Sequence, residues 1–185
     1  MTGRPLVIAV DGRGGAGKST LVERLRRVVP ASGIVHTDDV AWNHACFDWA
    51  ALIIEHVLRP LHRGEAVAFR PSAWVEHQRP GVIEVPAGAE VVWVEGTGSI
   101  REELAPWTDA SIWVQGDLDE QGRRLVARDG DSAAQRRHVT AWLAEELPFM
   151  LREQPWRNAT IVVAGTTGLA HDPVTELVTA DPVSS

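Results

Sequence analysis

Residues 11–20 read DGRGGAGKST, and this stretch decides the fold class of the chain. From Gly12 to Ser19 it matches the Walker A pattern G-x-x-x-x-G-K-[ST], in which glycines let successive backbone N–H groups surround an anion. The apolar residues 5–10 (PLVIAV) precede the loop as a buried strand, and residues 19–29 follow it as a helix that ends before Pro30. A strand, a tight loop and a helix in this order predict a phosphate-binding loop at a helix N-terminus.

Lys18 is the only lysine of the chain, and all other residues in its Lys+Arg count are arginine. A compact ammonium fits beside two phosphate groups, whereas the planar guanidinium of arginine is too wide for that place. We therefore expect Lys18 to reach the β- and γ-phosphates of a nucleotide and the Ser19 hydroxyl to coordinate Mg²⁺. The predicted nucleotide-binding residues are Gly12, Arg13, Gly14, Gly15, Ala16, Gly17, Lys18, Ser19 and Thr20.

Apolar runs separated by amphipathic segments continue along the chain. They predict further strands at residues 33–37, 90–94, 110–114 and 160–163, with helices at 48–63 and 117–128. A break at residues 129–131 precedes a long helix to about residue 154; Asp48 is expected to cap the first of these helices and Asp172 a last short one. This alternation predicts an α/β fold with a parallel sheet covered on both faces. Residues 64–88, without a strong helix signal, are expected to form a substrate-side insertion, and residues 1–185 to form a single domain.

Composition excludes several classes of protein. The formal net charge of −7 argues against a general nucleic-acid-binding protein, which would normally carry a basic face. Cys46 is the only cysteine, so an intramolecular disulfide framework and a multi-cysteine zinc site are excluded. The apolar run before the loop is too short to span a bilayer, and we expect a cytoplasmic protein without membrane contact. Composition leaves open whether it forms a homo-oligomer.

Carboxylates follow two of the predicted strands, at the sheet edge where parallel α/β sheets collect ligands. Asp38 and Asp39 follow the second strand, and a phosphoryl-transfer enzyme needs a base for the acceptor hydroxyl and support for Mg²⁺ there. We expect Asp38 to be the base and Asp39 to support the metal, with the reverse assignment open. Glu95 ends the next strand, where P-loop enzymes usually place a second carboxylate to organise the magnesium site.

Arginines lie on the predicted helix that follows the fourth strand. Arg124 and Arg128 are four residues apart and share a helix face, so either could neutralise the charge that develops during phosphoryl transfer. The nearby acidic residues Asp117, Asp119 and Glu120 equally suit a solvated surface. We predict catalytic roles for Arg128 and Arg124 within a lid at about residues 117–137.

Together these segments resemble the uridine kinase-like branch of the P-loop kinases. The matching segments are residues 11–20, Thr37-Asp38-Asp39, Phe47-Asp48, residues 92–96, Arg128-Asp129 and residues 159–163. The resemblance implies a three-layer α/β/α sandwich with a five-stranded parallel sheet and a helical lid. It also implies an ATP donor with Mg²⁺, phosphorylation of a small-molecule hydroxyl, and Asp38 as the general base.

The substrate-reading segments differ from the family pattern. Residues 71–79 read PSAWVEHQR and lack the tyrosine and aspartate of that pattern, which makes uridine itself doubtful as the acceptor. A nucleoside-like compound or another hydroxylated metabolite is expected against Trp42, Trp74, His77 and Arg79.

An alternative is an ATP-binding regulatory or hydrolytic NTPase without a small-molecule acceptor. A guanine-specific switch is disfavoured because the Asn-Lys-x-Asp motif needs a second lysine, and the D-x-x-G match at Asp119–Gly122 falls inside a predicted helix.

Overall fold

The computed structural model describes residues 3–44 and 46–182. Its strands are β1 Leu6–Asp11, β2 Ser32–His36, β3 Val67–Phe69, β4 Ile83–Val85, β5 Val91–Glu95, β6 Ala110–Gln115, β7 Ile161–Ala164 and β8 Thr179–Ala180. Its helices are α1 Lys18–Val28, α2 Thr37–Ala41, α3 (Ala50–Ile53, Ile54–Leu58 and Arg59–His62 in succession), α4 Ser72–Glu76, α5 Leu118–Asp129, α6 Ala133–Glu153 and α7 Pro155–Asn158. A 3₁₀ segment covers Glu102–Trp107.

The main sheet has the strand order β2-β5-β1-β6-β7-β8. The first five strands in this order are parallel, as predicted, and the register pairs Val10 with Glu95 and His36 with Glu95 at their carboxyl ends. β8 adds a sixth, antiparallel strand against β7 that the sequence did not predict. The carboxyl ends of β1, β2 and β5 therefore meet at one edge, where the loop at residues 12–17 begins.

Neighbouring residues of a strand point to opposite faces of the sheet. Because the strands are apolar on both faces, helices cover both. Val7 and Val92 belong to a core shared with α3, whereas Val10 and Trp93 belong to a core shared with α1. Every residue of β5 is buried, as expected of a central parallel strand. The α/β/α architecture implied by the resemblance is confirmed.

Some predicted helix boundaries were wrong. The segment after β2 becomes helical at Thr37 instead of continuing the strand, so Asp38 and Asp39 lie in the first turn of α2. Asp48 does not cap α3, which begins at Ala50 without a side-chain cap. The middle turn of α3 is a π-helix just before Pro60, which has no N–H to offer a regular helix.

The predicted insertion contains short strands and one short helix, and the C-terminal segment differs from its prediction. Residues 64–88 hold a small antiparallel ribbon of β3 and β4 and the short helix α4. The predicted last helix after Asp172 is absent from the described residues, where positions 173–175 form a turn. Asp172 instead accepts hydrogen bonds from Val174 and Thr175, a local arrangement that favours a turn.

The arginine-bearing helix and the long helix after it are present as predicted. Asp117 accepts a hydrogen bond from the backbone of Glu120 and caps α5, and Ser132 accepts one from Gln135 and caps α6. Gly130, with φ of 83°, separates the two helices.

Candidate active site

The loop between β1 and α1 has the backbone of an anion-binding loop. Gly15 and Gly17 have φ of 76° and 101°, a region that residues with a Cβ rarely adopt. A Cβ on Gly15 would lie 2.6 Å from the carbonyl oxygen of Gln121, so this glycine also lets α5 approach the loop. The first N–H groups of α1 lie at the end of the loop and are available to a phosphate group.

Lys18 and Ser19, the first residues of α1, reach the neighbouring strand ends. The Lys18 ammonium donates to the carbonyls of Gly12 at 2.8 Å and Arg13 at 3.2 Å, and to the Thr97 hydroxyl at 3.3 Å. Ser19 Oγ donates to Glu95 Oε1 at 3.2 Å. Magnesium prefers hydroxyl, carboxylate and phosphate oxygens, so the Ser19–Glu95 pair fits a magnesium–nucleotide complex. Within the described ranges no cluster of three or more His, Cys, Asp or Glu side chains is arranged to hold a metal ion.

Glu95 is also bound by His36. The His36 Nδ1 atom lies 2.6 Å from Glu95 Oε2. Burial favours the neutral form of Glu95, but the hydrogen bond from His36 and the charge of Lys18 outweigh burial and lower the pKa of Glu95. The same hydrogen bond raises the pKa of His36. Glu95 is therefore held ionised next to Ser19.

Asp38 and Asp39 face different surroundings. Asp38 lines a cavity together with Lys18, and burial raises its pKa while the charge of Lys18 opposes that rise. Asp39 instead forms an ion pair with Arg79. The structure thus places Asp38, and not Asp39, on the side of the phosphate loop.

The predicted substrate residues form one cluster, of which only part reaches the cavity. The Arg79 guanidinium lies 3.8 Å from the Trp74 ring centroid and 5.2 Å from that of Trp42, and His77 packs edge-on against Trp42 at 5.5 Å. Trp74 Nε1 donates to the Asp39 carbonyl at 2.9 Å. Trp42 lines the cavity, whereas Trp74, His77 and Arg79 lie outside its lining.

The two arginines of α5 both line the cavity. Arg124 donates to Glu120 at 3.0 Å and to the carbonyls of Gly15 and Gly165 at 3.4 Å, which ties α5 to the phosphate loop. Arg128 is bound by its neighbour Asp129 at 2.7 Å. Arg124 therefore contacts the phosphate loop directly, whereas Arg128 shares the cavity lining and is paired with Asp129.

The cavity itself has a volume of about 810 Å³. Its walls come from the phosphate loop, α2 and the segment after it, α5 and α6. One face of α6 lines the cavity, as the spacing of three or four residues between its lining side chains shows. These residues are Gln135, His138, Val139, Trp142, Leu143 and Glu146.

Comparisons with known proteins bear on the fold. No protein-family model and no curated protein matches the chain. Among solved structures, a possible uridine kinase from Bacillus stearothermophilus is 17% identical, with a TM-score of 0.54, over 85% of this chain and 88% of that one. A candidate fructose transport system kinase from Silicibacter sp. TM1040 is 20% identical, with a TM-score of 0.52, over 67% of this chain and 71% of that one. The chain has the P-loop kinase fold.

Within this P-loop kinase fold, sequence reasoning missed several residues around the loop. Asp11, fully buried, accepts backbone hydrogen bonds from Gly12, Gly98 and Ile100 and so ties the loop to the segment after β5. Glu146 forms an ion pair with Arg13 at 3.1 Å. The three- and four-residue spacing on α6 was a usable signal for Glu146, whereas Asp11 begins the matching segment 11–20 but received no role of its own.

No helix of the described residues combines the length and apolar composition needed to cross a membrane.

Proposed function

We propose that the chain is an ATP-dependent kinase that transfers a γ-phosphoryl group to a hydroxyl of a small molecule, with Asp38 as the general base. One observation carries the proposal. Lys18, Ser19, Asp38 and Glu95 come from three segments of the chain and line the same cavity at the N-terminus of α1. A nucleotide-binding loop, a magnesium ligand pair and a free carboxylate at one place suit phosphoryl transfer to an alcohol.

In the proposed reaction the acceptor oxygen loses its proton to Asp38 and forms a bond to the γ-phosphorus. The bond from that phosphorus to the bridging oxygen breaks, and ADP leaves. Burial raises the pKa of Asp38, which makes its carboxylate a better proton acceptor than an exposed aspartate. Asp39 is occupied by Arg79, so Asp38 is the better candidate for the base.

The cations of the site oppose the negative charge of the phosphates. Lys18 lies at the loop, and its present partners are neutral oxygens that a phosphate oxygen can replace. Mg²⁺, when bound, neutralises charge on the phosphate oxygens. Ser19 and Glu95 are its protein ligands in this proposal. Arg124 and Arg128, which α5 contributes to the same cavity, stabilise charge on the transferred group in this proposal.

The first experiment measures ADP release in the presence of a panel of alcohols, sugars and nucleosides. Asp38→Asn should retain calorimetric binding of magnesium–ATP but lower kcat by about 10²- to 10⁴-fold, the usual contribution of a general base. Lys18→Ala should weaken ATP binding as well. Asp119→Asn is the matched control, because Asp119 is exposed on the first turn of α5 and should leave the rate unchanged.

The panel also tests the alternative function. If ATP is hydrolysed at the same rate without any acceptor, and Asp38→Asn does not alter that rate, the chain is an NTPase and the kinase proposal is wrong. Binding of magnesium–ATP without transfer to any acceptor would also count against it.

A further inference from the structure

Two side chains that line the cavity carry a buried polar atom that lacks a hydrogen-bond partner. Among the residues that the structure describes, these atoms are Oε1 of Glu146 and Nε2 of His44. Leaving such an atom unpaired costs free energy, so most buried polar atoms in native proteins have a partner. Two unpaired atoms in the lining of one cavity point to a ligand that supplies the missing partners.

The position of Glu146 is fixed by the phosphate loop. Its side chain is 1% exposed, and its Oε2 atom accepts hydrogen bonds from both Nε and Nη2 of Arg13 at 3.1 Å. Both nitrogens of the Arg13 guanidinium therefore bind the same carboxylate oxygen of Glu146. In many Arg–carboxylate pairs the two nitrogens bind one oxygen each. The second oxygen is left for a donor that comes from outside the protein.

Aromatic rings accompany this carboxylate. Trp142 lies one helical turn before Glu146 on α6, and Trp42 lies at the end of α2; both are half-buried and line the cavity. Phe47 packs against Trp142 with ring centroids 5.3 Å apart and stacks on Phe149 at 4.0 Å, which holds the Trp142 ring in place. A carboxylate one helical turn from a tryptophan, in the lining of one cavity, suits a cation through charge-assisted hydrogen bonds and cation–π contacts.

Building on the proposed kinase activity, we propose that Glu146 recognises a protonated amine of the acceptor, so that the substrate is an amino alcohol. The acceptor nitrogen donates to Glu146 Oε1, and the acceptor hydroxyl lies at Asp38. An acceptor that carries a carboxylate or phosphate at the same position would place negative charge against Glu146 and is disfavoured. Glu146 is in this view a specificity-determining residue and does not take part in the chemistry.

The test uses three sets of related alcohols, each with an amine, a neutral alcohol and an acid: serinol, glycerol and glycerate; glucosamine, glucose and glucuronate; phenylalaninol, 3-phenylpropane-1,2-diol and 3-phenyllactate. Phosphoryl transfer is measured by ADP release, and binding by the change in melting temperature in the presence of magnesium and a non-hydrolysable ATP analogue. The amine of at least one set should be preferred, with kcat/KM about tenfold to a hundredfold higher than for the neutral alcohol of that set, as expected for a hydrogen bond to a charged group. The acid should be the poorest of the set.

Glu146→Gln should remove this preference by raising KM for the amine about tenfold to a hundredfold, with a smaller change in kcat and retained binding of ATP. Glu145→Gln is the matched control, because Glu145 is the exposed neighbour on the same helix. If Glu146→Gln does not fold, the preference of the unmodified protein across the three sets still decides the matter.

Each outcome counts for or against a distinct claim. Equal or better transfer to the neutral alcohols or the acids, or an amine preference that survives Glu146→Gln, would overturn the amino-alcohol assignment and leave the kinase proposal intact. No transfer to and no binding of any alcohol, despite ATP binding, would overturn both.

Discussion

Asp11→Asn tests how burial and hydrogen bonding balance beneath the phosphate loop. Burial raises the pKa of Asp11 from 3.8 to about 6, against the opposing effects of backbone hydrogen bonds and the charge of Lys18. A raised carboxyl pKa means that the native protein binds a proton more readily than the unfolded chain. The free energy of unfolding therefore falls as the pH rises from about 4 through 6, by about 3 kcal/mol in total.

Asparagine has the shape of the protonated side chain and does not titrate. Its amide nitrogen must face at least one of the backbone N–H groups of Gly12, Gly98 and Ile100, which costs about 1–3 kcal/mol at every pH. The free energy of unfolding of the unmodified protein should fall by about 2 kcal/mol relative to that of Asp11→Asn between pH 4.5 and 7.5. Urea unfolding of both proteins, followed by tryptophan fluorescence across this pH range, measures the shift.

The control is Asp109→Asn. The hydrogen bond from Arg4 lowers the pKa of Asp109, so this carboxyl stays ionised between pH 4.5 and 7.5. The difference in free energy of unfolding between Asp109→Asn and the unmodified protein should therefore not change over this range. A flat difference for Asp11→Asn, or one that moves in favour of the unmodified protein as the pH rises, would refute the reasoning. It would show that the three N–H donors and Lys18 outweigh desolvation.

Two further predictions concern the loop and the magnesium site. Gly15→Ala should lower the free energy of unfolding by about 1–3 kcal/mol in urea denaturation and weaken ATP binding in calorimetry, because of its positive φ and the 2.6 Å approach to Gln121. Gly122→Ala, whose Cβ would meet no atom within 4 Å, should not destabilise the protein. The stabilising effect of His36, whose pKa is raised by Glu95, should be full below pH 6.5 and disappear as the pH rises through the native pKa. The stability difference between the unmodified protein and His36→Gln should therefore shrink on alkaline titration, and a difference that grows would contradict the pairing.

Much of the fold could be predicted because its signals are local. The parallel strands appear as continuous apolar runs, since a strand buried on both faces has no polar side to alternate. The predictions failed where local chemistry was ambiguous. Thr37 continues an apolar run yet begins a helix, and the two-residue strand at Thr179 is too short to leave a pattern.

The candidate site divides in the same way. The glycine spacing and the single lysine could predict a phosphate loop, because the backbone conformation and the compact charge are properties of consecutive residues. The sequence favoured Asp38 as the base and left the reverse assignment open, and what the tertiary structure adds is the ion pair between Asp39 and the distant Arg79.

The sequence by itself determined a strand, a glycine loop and a helix, which together favour binding of a phosphate group. Only the tertiary structure decided which side chains lie around that loop, because contacts such as Arg13–Glu146 join residues far apart in the chain. Their meeting depends on how α6 packs over the sheet, and side-chain periodicity shows which face of a helix is apolar but not what that face will meet.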